Sequence, residues 1–313
     1  MMNRLAYIAL FLSFLALMAC EDPIDLGIEE EEPRLVVVSN FDPDSLFKVV
    51  VSQSRSALSN DPVMFLDNAT VDLFENDALI ERLVLADDPL SPFPIYKTQS
   101  LRPQVGSIYT IEVAAPDLVS VSASNSAPQE VPLRSFEITD YLSRPAGSRF
   151  RQHFMTVTAE IDDPPEIGNF YHLNFFYERV EFRVNGPNDT TRIPTGFNFS
   201  LLLENTPNEL PYISHYNYGV LISDAEAGDR PLRFSFEAAS RPVSTVIELF
   251  DRVYVELRSV SEDYFLYHSS LTRQNQQRDT IFAEPVILYN NIENGYGIFA
   301  GFSSIVDSTE INQ

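Results

Sequence analysis

Tryptophan is missing from this chain, cysteine occurs once, and basic residues are outnumbered, 21 Lys and Arg against 45 Asp and Glu. Each shortage removes a class of function. With Cys20 as its one thiol the chain cannot form an internal disulfide, which excludes a disulfide-stapled scaffold. A formal charge of −24, uninterrupted by any basic stripe, repels phosphate backbones and excludes nucleic-acid binding. It also disfavours direct adhesion to anionic lipid, so any contact with a membrane is expected to run through acyl chains. Without tryptophan, any sugar-stacking platform would fall to tyrosine. The four histidines, His153, His172, His215 and His268, form no His-Glu-x-x-His or other close ligand pair, so catalytic zinc has no support. A Gly-x-Ser-x-Gly elbow is absent, Ser303 lying out of frame behind Gly301-Phe302. The phosphate-cradling Gly-x-Gly-x-x-Gly and the Asp-x-Asp-x-Asp-Gly calcium ladder are missing too. No cofactor, no metal and no enzymatic activity are therefore expected.

What is present begins with Met2-Asn3-Arg4, followed by the apolar run Leu5–Met18 and then Ala19-Cys20. A positive start, an apolar middle and a small-residue end are the grammar of a secretory signal peptide. At about 1.5 Å per residue the apolar run spans roughly 21 Å, short of the ~30 Å hydrocarbon core of a bilayer. Leu17-Met18-Ala19-Cys20 resembles the lipobox of bacterial lipoproteins, in which the cysteine thiol is acylated and becomes the mature N-terminus. Residues 1–19 are thus expected to be the signal, Cys20 the lipidated residue, and the acid-rich, proline-bounded residues 20–33 a solvated tether.

From Leu35 onward the pattern is that of strands. Leu35–Val38, Phe47–Val51, Ala69–Leu73, Leu79–Leu85, Ile108–Val113 and Val119–Ala123 are short runs rich in β-branched residues, separated by turn signals. Asn76-Asp77 is one such signal. Pro128 and Pro132 flank a linker, after which Met155–Ile161 alternates and Asp162-Asp163-Pro164-Pro165 stops the strand. Asp162, Asp163 and Glu166 carry enough oxygens for calcium, but a solvated turn is the better reading in so acidic a chain. The aromatic strand Phe170–Val184 shifts parity near Phe175-Phe176, which predicts a bulge there. Leu232–Phe236 and Val253–Leu257 add alternating strands. One helix is expected near 262–277, capped by Ser261 with Glu262 and Asp263 in its first turn.

These elements predict an all-β fold of two β-sandwich, immunoglobulin-like domains in tandem, the second larger and carrying the helix. The boundaries expected are 34–127 for the N-terminal domain, 131–304 for the C-terminal domain and 305–313 for a tail.

Val253–Val260 running into Ser261-Glu262-Asp263-Tyr264, and the block Asn291-Ile292-Glu293-Asn294-Gly295-Tyr296-Gly297-Ile298-Phe299, together resemble the Bacteroidota outer-membrane lipoproteins grouped as domain of unknown function 4249. The lipobox, the Leu35–Val38 strand and the Asp162-Asp163-Pro164 turn belong to the same resemblance. It implies an outer-membrane lipoprotein, held to the membrane by its N-terminal lipid, exposed at the cell surface and acting beside a TonB-dependent transporter. Read without the family, Gly295 and Gly297 suit a turn feeding the last core strand better than a binding loop.

The best partner-binding candidate is the segment Pro211–Gly219, which gathers Tyr212, His215, Tyr216 and Tyr218. Tyrosines carry large contact area at small entropic cost, which suits recognition. The expected function is a non-enzymatic, ligand- or partner-binding accessory of the transporter. Alternatives are a structural or adhesive envelope lipoprotein and, more remotely, a surface hydrolase. Mass spectrometry of the mature N-terminal peptide should find Cys20 acylated, and Cys20→Ser should keep residues 1–19 attached. An unmodified Cys20 would end the lipoprotein reading.

Overall fold

A computed structural model of the chain describes residues 32–56, 59, 61–86, 91–187, 189–204, 212–213, 219–226, 231–244, 248–277 and 286–311. Cys20, the expected signal and most of the expected tether lie outside the described residues. The chain opens with β1 (Leu35–Phe41), β2 (Lys48–Gln53), β3 (Met64–Phe65), β4 (Thr70–Glu75) and β5 (Ala78–Arg82). Then come β6 (Val84–Leu85), β7 (Tyr96–Lys97), β8 (Ile108–Ala114) and β9 (Val121–Ser126). The middle supplies β10 (Leu133–Pro145), β11 (Phe150–Ile161), β12 (Phe170–Gly186), β13 (Asp189–Ser200) and β14 (Leu202–Glu204). After β15 (Tyr212–Ile213), β16 (Gly219–Ser223), β17 (Leu232–Ala239) and β18 (Val243–Ser244) come β19 (Glu248–Val260), helix α1 (Glu262–Gln277) and β20 (Tyr296–Glu310). The fold is thus all-β, with one α-helix among the described residues. None of its described helices is long and apolar enough to cross a membrane.

Three sheets hold these strands. An eleven-stranded sheet runs β15-β16-β12-β19-β20-β1-β2-β7-β6, with β13 beside β12 and β3 beside β2. A five-stranded sheet runs β10-β11-β17-β14, with β18 on β11, and a four-stranded sheet runs β5-β4-β8-β9. All belong to one unit, Pro33–Arg55 with Asn60–Gln313. Two large apolar cores are filled from alternate residues. In one, Leu35, Val37, Val49 and Val51 meet Val71, Leu73, Ile111 and Val113 of the four-stranded sheet. In the other, Tyr171, Leu173, Phe175, Val253, Val255 and Leu257 meet Met155, Val157, Ala159 and Phe236 of the five-stranded sheet.

The long strand β20 serves both. Residues 296–301 pair in parallel with β1, and residues 302–310 pair antiparallel with β19. Phe299 and Ile292 therefore complete the first core from the far end of the chain. Residues 305–310, expected as tail, are strand, because β19 supplies a ladder partner for each of them. The two-residue turn after β4 has Asn76 at φ 48° and Asp77 at φ 65°, the mirror-image geometry whose twist suits a hairpin.

Local expectations met the backbone unevenly. The helix has the expected bounds, and Tyr264 N donates to Ser261 Oγ at 3.4 Å. The β12–β19 ladder shifts register at Glu178–Arg179, where β19 carries the extra residue Asp251, and not at Phe175-Phe176. Tyr171, Leu173, Phe175 and Tyr177 keep one parity in the core, while Phe176 stacks on Tyr254 of the opposite face at 5.1 Å. An aromatic neighbour on the second face had imitated a change of register.

Gly297 makes the parallel pairing possible. Its φ is +118°, and a Cβ there would overlap the carbonyl oxygen of Val37, its ladder partner. Gly147 has a similar φ of +102° but open space around it. Urea denaturation should therefore separate the two substitutions. Gly147→Ala should cost about 1 kcal/mol of backbone strain, and Gly297→Ala at least about 3 kcal/mol through strain plus overlap. Equal costs would overturn the close-approach reading.

Candidate functional site

The outer face of the eleven-stranded sheet, away from the large core, carries polar residues under a helix. On β12 the residues out of phase with the core are His172 and Asn174, and on β19 they are Glu256 and Arg258. Helix α1 touches β12, β15 and β20 and lays Tyr264 over this face. Leu221, Val260, Ile298, Ala300 and Phe302 form a small apolar cluster around that tyrosine.

The polar groups close on one another. Arg258 donates from Nε to Glu256 Oε1 and from Nη2 to Glu256 Oε2, both at 2.9 Å. Its Nη1 reaches the Tyr264 hydroxyl at 3.3 Å, and its guanidinium lies 4.6 Å above the Phe302 ring. The Tyr264 hydroxyl meets His172 Nδ1 at 3.0 Å, and Asn174 Nδ2 donates to Glu256 Oε2 at 3.0 Å. Arg258 donates to the tyrosine oxygen, while the buried His172 Nε2 has no hydrogen-bond partner among the described residues. His172 Nε2 and Asn174 Oδ1 both crowd the α-carbon of Gly219, where a Cβ would overlap each of them. A bidentate arginine–carboxylate pair with its remaining lone pairs occupied is the form in which buried charge is tolerated.

Burial sets the protonation of these groups. Desolvation, with Arg258 close by, holds His172 well below the ordinary imidazole value and brings His268 down to about 4. Burial raises the Tyr264 phenol. Both imidazoles are neutral at pH 7. Neither is placed as a base beside a serine or cysteine nucleophile among the described residues.

A second knot explains the glycine-rich block. Asp263, in the first turn of α1, accepts from Asn125 Nδ2 at 2.6 Å, from Asn291 Nδ2 at 3.1 Å and from the Tyr289 hydroxyl. Asn291 also bonds the Phe299 backbone in both directions, at 2.8 and 3.0 Å, and Asn125 Oδ1 receives Gly301 N at 2.9 Å. Burial and the Asp263 carboxylate push the Tyr289 phenol up to about 12. The block is a clasp that seats β20 between β1 and β9, as a turn feeding the last core strand should be.

Other candidates resolve into structure. His153 is stacked on Phe250 at 4.4 Å and meets the Tyr141 hydroxyl at 2.6 Å. Ser303 donates to the Pro128 carbonyl at 2.6 Å. Asp162 pairs with Arg134, and Asp163 accepts from the Tyr171 hydroxyl at 2.5 Å. Among the described residues no three His, Cys, Asp or Glu side chains gather as metal ligands. Of the recognition segment, Tyr212 is placed at the start of β15, opposite Val220. His215, Tyr216 and Tyr218 lie outside the described residues. The sequence reading passed over Arg258, Glu256 and Asn174; their one signal was charge and amide in the polar phase of otherwise apolar strands.

The neutral histidines carry a pH signature. The unfolded chain binds protons below about pH 6.5 that the folded protein refuses until about pH 4, so stability is present above 6.5 and is lost as pH falls through that window. Urea unfolding at pH 5 should show a loss of roughly 2 kcal/mol from His268 relative to pH 7, with a smaller loss from the more solvent-screened His153, and His268→Leu should remove its share. Stability unchanged between pH 7 and pH 5 would show that the imidazoles titrate freely.

Comparison with known proteins places this architecture. Among solved structures, the partial N-terminal region of an enterococcal surface protein aligns over 90% of this chain and 96% of its own at 8% identity. The TM-score is 0.19, too low to carry an argument about fold. No curated protein matches. The family described as Domain of unknown function (DUF4249) matches residues 21–306, which include both cores, the polar ring and the clasp. The chain belongs to the DUF4249 family.

Proposed function

We propose that this protein is a lipid-anchored component of the outer membrane, facing outward, that binds a partner and catalyses no reaction. The partner we assign is a TonB-dependent transporter, or the ligand that such a transporter receives. We also read the two cores as tandem immunoglobulin-like sandwiches that share the eleven-stranded sheet.

One observation carries the binding role. The eleven-stranded sheet ends at β15, a two-residue edge strand whose Tyr212 opens the segment containing His215, Tyr216 and Tyr218. An edge strand offers unpaired backbone donors and acceptors, and a peptide added there gains both a ladder and side-chain pockets. Tyrosines, which the sequence gathers in this segment, supply the large anchors on which interfaces concentrate their energy. The commitment of His172 and Arg258 to internal partners supports a rigid platform beneath this edge rather than reacting groups.

Pull-down of the mature protein from native outer membranes should recover a transporter. Tyr216→Ala with Tyr218→Ala should weaken that capture by about thirtyfold, the scale of an interface hot spot. Capture left intact by deleting residues 212–218, or the absence of any membrane partner, would sink the proposal.

A further inference from the structure

Lys48 and Lys97 are the only lysines in a chain of 313 residues and formal charge −24. The fold sets them directly opposite each other on β2 and β7. Like charges across a ladder are destabilising. Among the described residues no ion pair relieves either lysine. In a protein with carboxylates to spare, two adjacent cations that no carboxylate among the described residues pairs with are suited to an anion from outside.

Their surroundings identify it. The register puts Val84 beside Lys97, and Lys48, Val50 and Ser52 on one face of β2 with Phe65 opposite Ser52. Phe93 stacks on Phe65 at 5.0 Å. At the rim, Met64 is 61% and Leu85 46% exposed. Helix α1 and its apolar cluster cover this side of the sheet only as far as Val38. The open part therefore presents aromatic and aliphatic side chains around two ammonium groups. Long cationic side chains whose stems lie on apolar surface and whose heads reach phosphate suit a membrane interface.

The route of the chain points to the same surface. Arg34 and Ser54 bond each other's backbones, and Leu35 pairs with Gln53, which pairs with Met64. The tether expected over residues 20–33 therefore joins the body at the Met64 end of this edge. At about 3.5 Å per residue it keeps that edge within roughly 45 Å of Cys20.

We infer that the β2-β3-β7-β6 edge docks on the bilayer that anchors the chain, with Phe65, Phe93 and Val84 against its apolar boundary and Lys48 and Lys97 on anionic phosphate headgroups. The inference deepens the lipid-anchored reading and rests on it for the tether. It also refines the effect of net charge, since the acidic body is repelled as a whole while this edge is attracted.

Composition provides the probes. Amine acetylation reads Lys48 and Lys97 alone among side chains, and Phe65→Trp gives a single tryptophan, excited apart from the 14 tyrosines. The full chain, purified with its anchor, is placed in vesicles of phosphatidylethanolamine and phosphatidylglycerol or in neutral detergent. Acetylation of each lysine should slow by about fivefold in the vesicles, and Phe65→Trp emission should shift to the blue. Protein that floats with the vesicles while both lysines react at the detergent rate and the emission stays put overturns the docking and leaves the anchor intact. Protein that fails to float refutes the anchor, and the two readouts with added vesicles then judge the docking separately. Protection without lipid that grows with protein concentration would assign the face to a second copy and overturn the inference. Should Phe65→Trp misfold, acetylation of the unaltered chain still decides.

Discussion

The pairing of β20 with both β1 and β19 is the constraint on which the molecule depends. It joins the first strand to the last in one sheet and lets Phe299, with Ile292, enter a core otherwise built from residues 35–127. Parallel neighbours cannot be made by a tight turn, so this contact closes only after the intervening chain is in place. The consequence is kinetic as well as structural. The first core stays incomplete until the C-terminal residues arrive, and long-range pairings of this kind slow folding.

Such a seam needs something to hold its register, because a slip by one residue would turn every side chain to the wrong face. Two polar knots, one at each end of Tyr264, do this. The clasp brings Asn125, Asp263 and the pair Tyr289 and Asn291 together from three separate stretches. The ring links β12, β19 and α1 through Asn174, Glu256, Arg258, Tyr264 and His172. In the ring His172 Nε2 and Asn174 Oδ1 already lack a hydrogen-bond partner among the described residues. Buried polar networks favour one arrangement, and removing a single partner leaves the others unpaired in a poor solvent. They account for the glycines and asparagines that gave the C-terminal block its recognisable form.

Local chemistry was legible in the sequence; long-range partnership was not. Leu35–Val38, Met155–Ile161 and the helix at 262–277 could be read because burial on one face imposes a period and Ser261 supplies a cap. The misplaced bulge shows the limit, for Phe176 is apolar through its contact with Tyr254 and periodicity cannot tell which face a contact lies on. Residues 305–310 looked like a tail because only Ile305-Val306 is apolar and Asp307-Ser308-Thr309-Glu310 carries no apolar signal; their order comes from β19. Arg258 and Glu256 were hidden for a related reason. A charge on the outer phase of a strand reads as solvated until a helix is known to lie over it.

Net charge and local charge then answer different questions. The excess of 24 negative charges acts at distances where ionic screening leaves little, since the Debye length is about 10 Å at 0.1 M salt. It governs what the body avoids as a whole, such as a nucleic-acid polyanion with its many repeated phosphates. Contact is settled within one Debye length, by whichever side chains a given edge presents. A composition can therefore exclude a polymeric ligand securely and yet say little about a surface met by two lysines. The ladder between β2 and β7, which juxtaposes residues 49 positions apart, decides that second question.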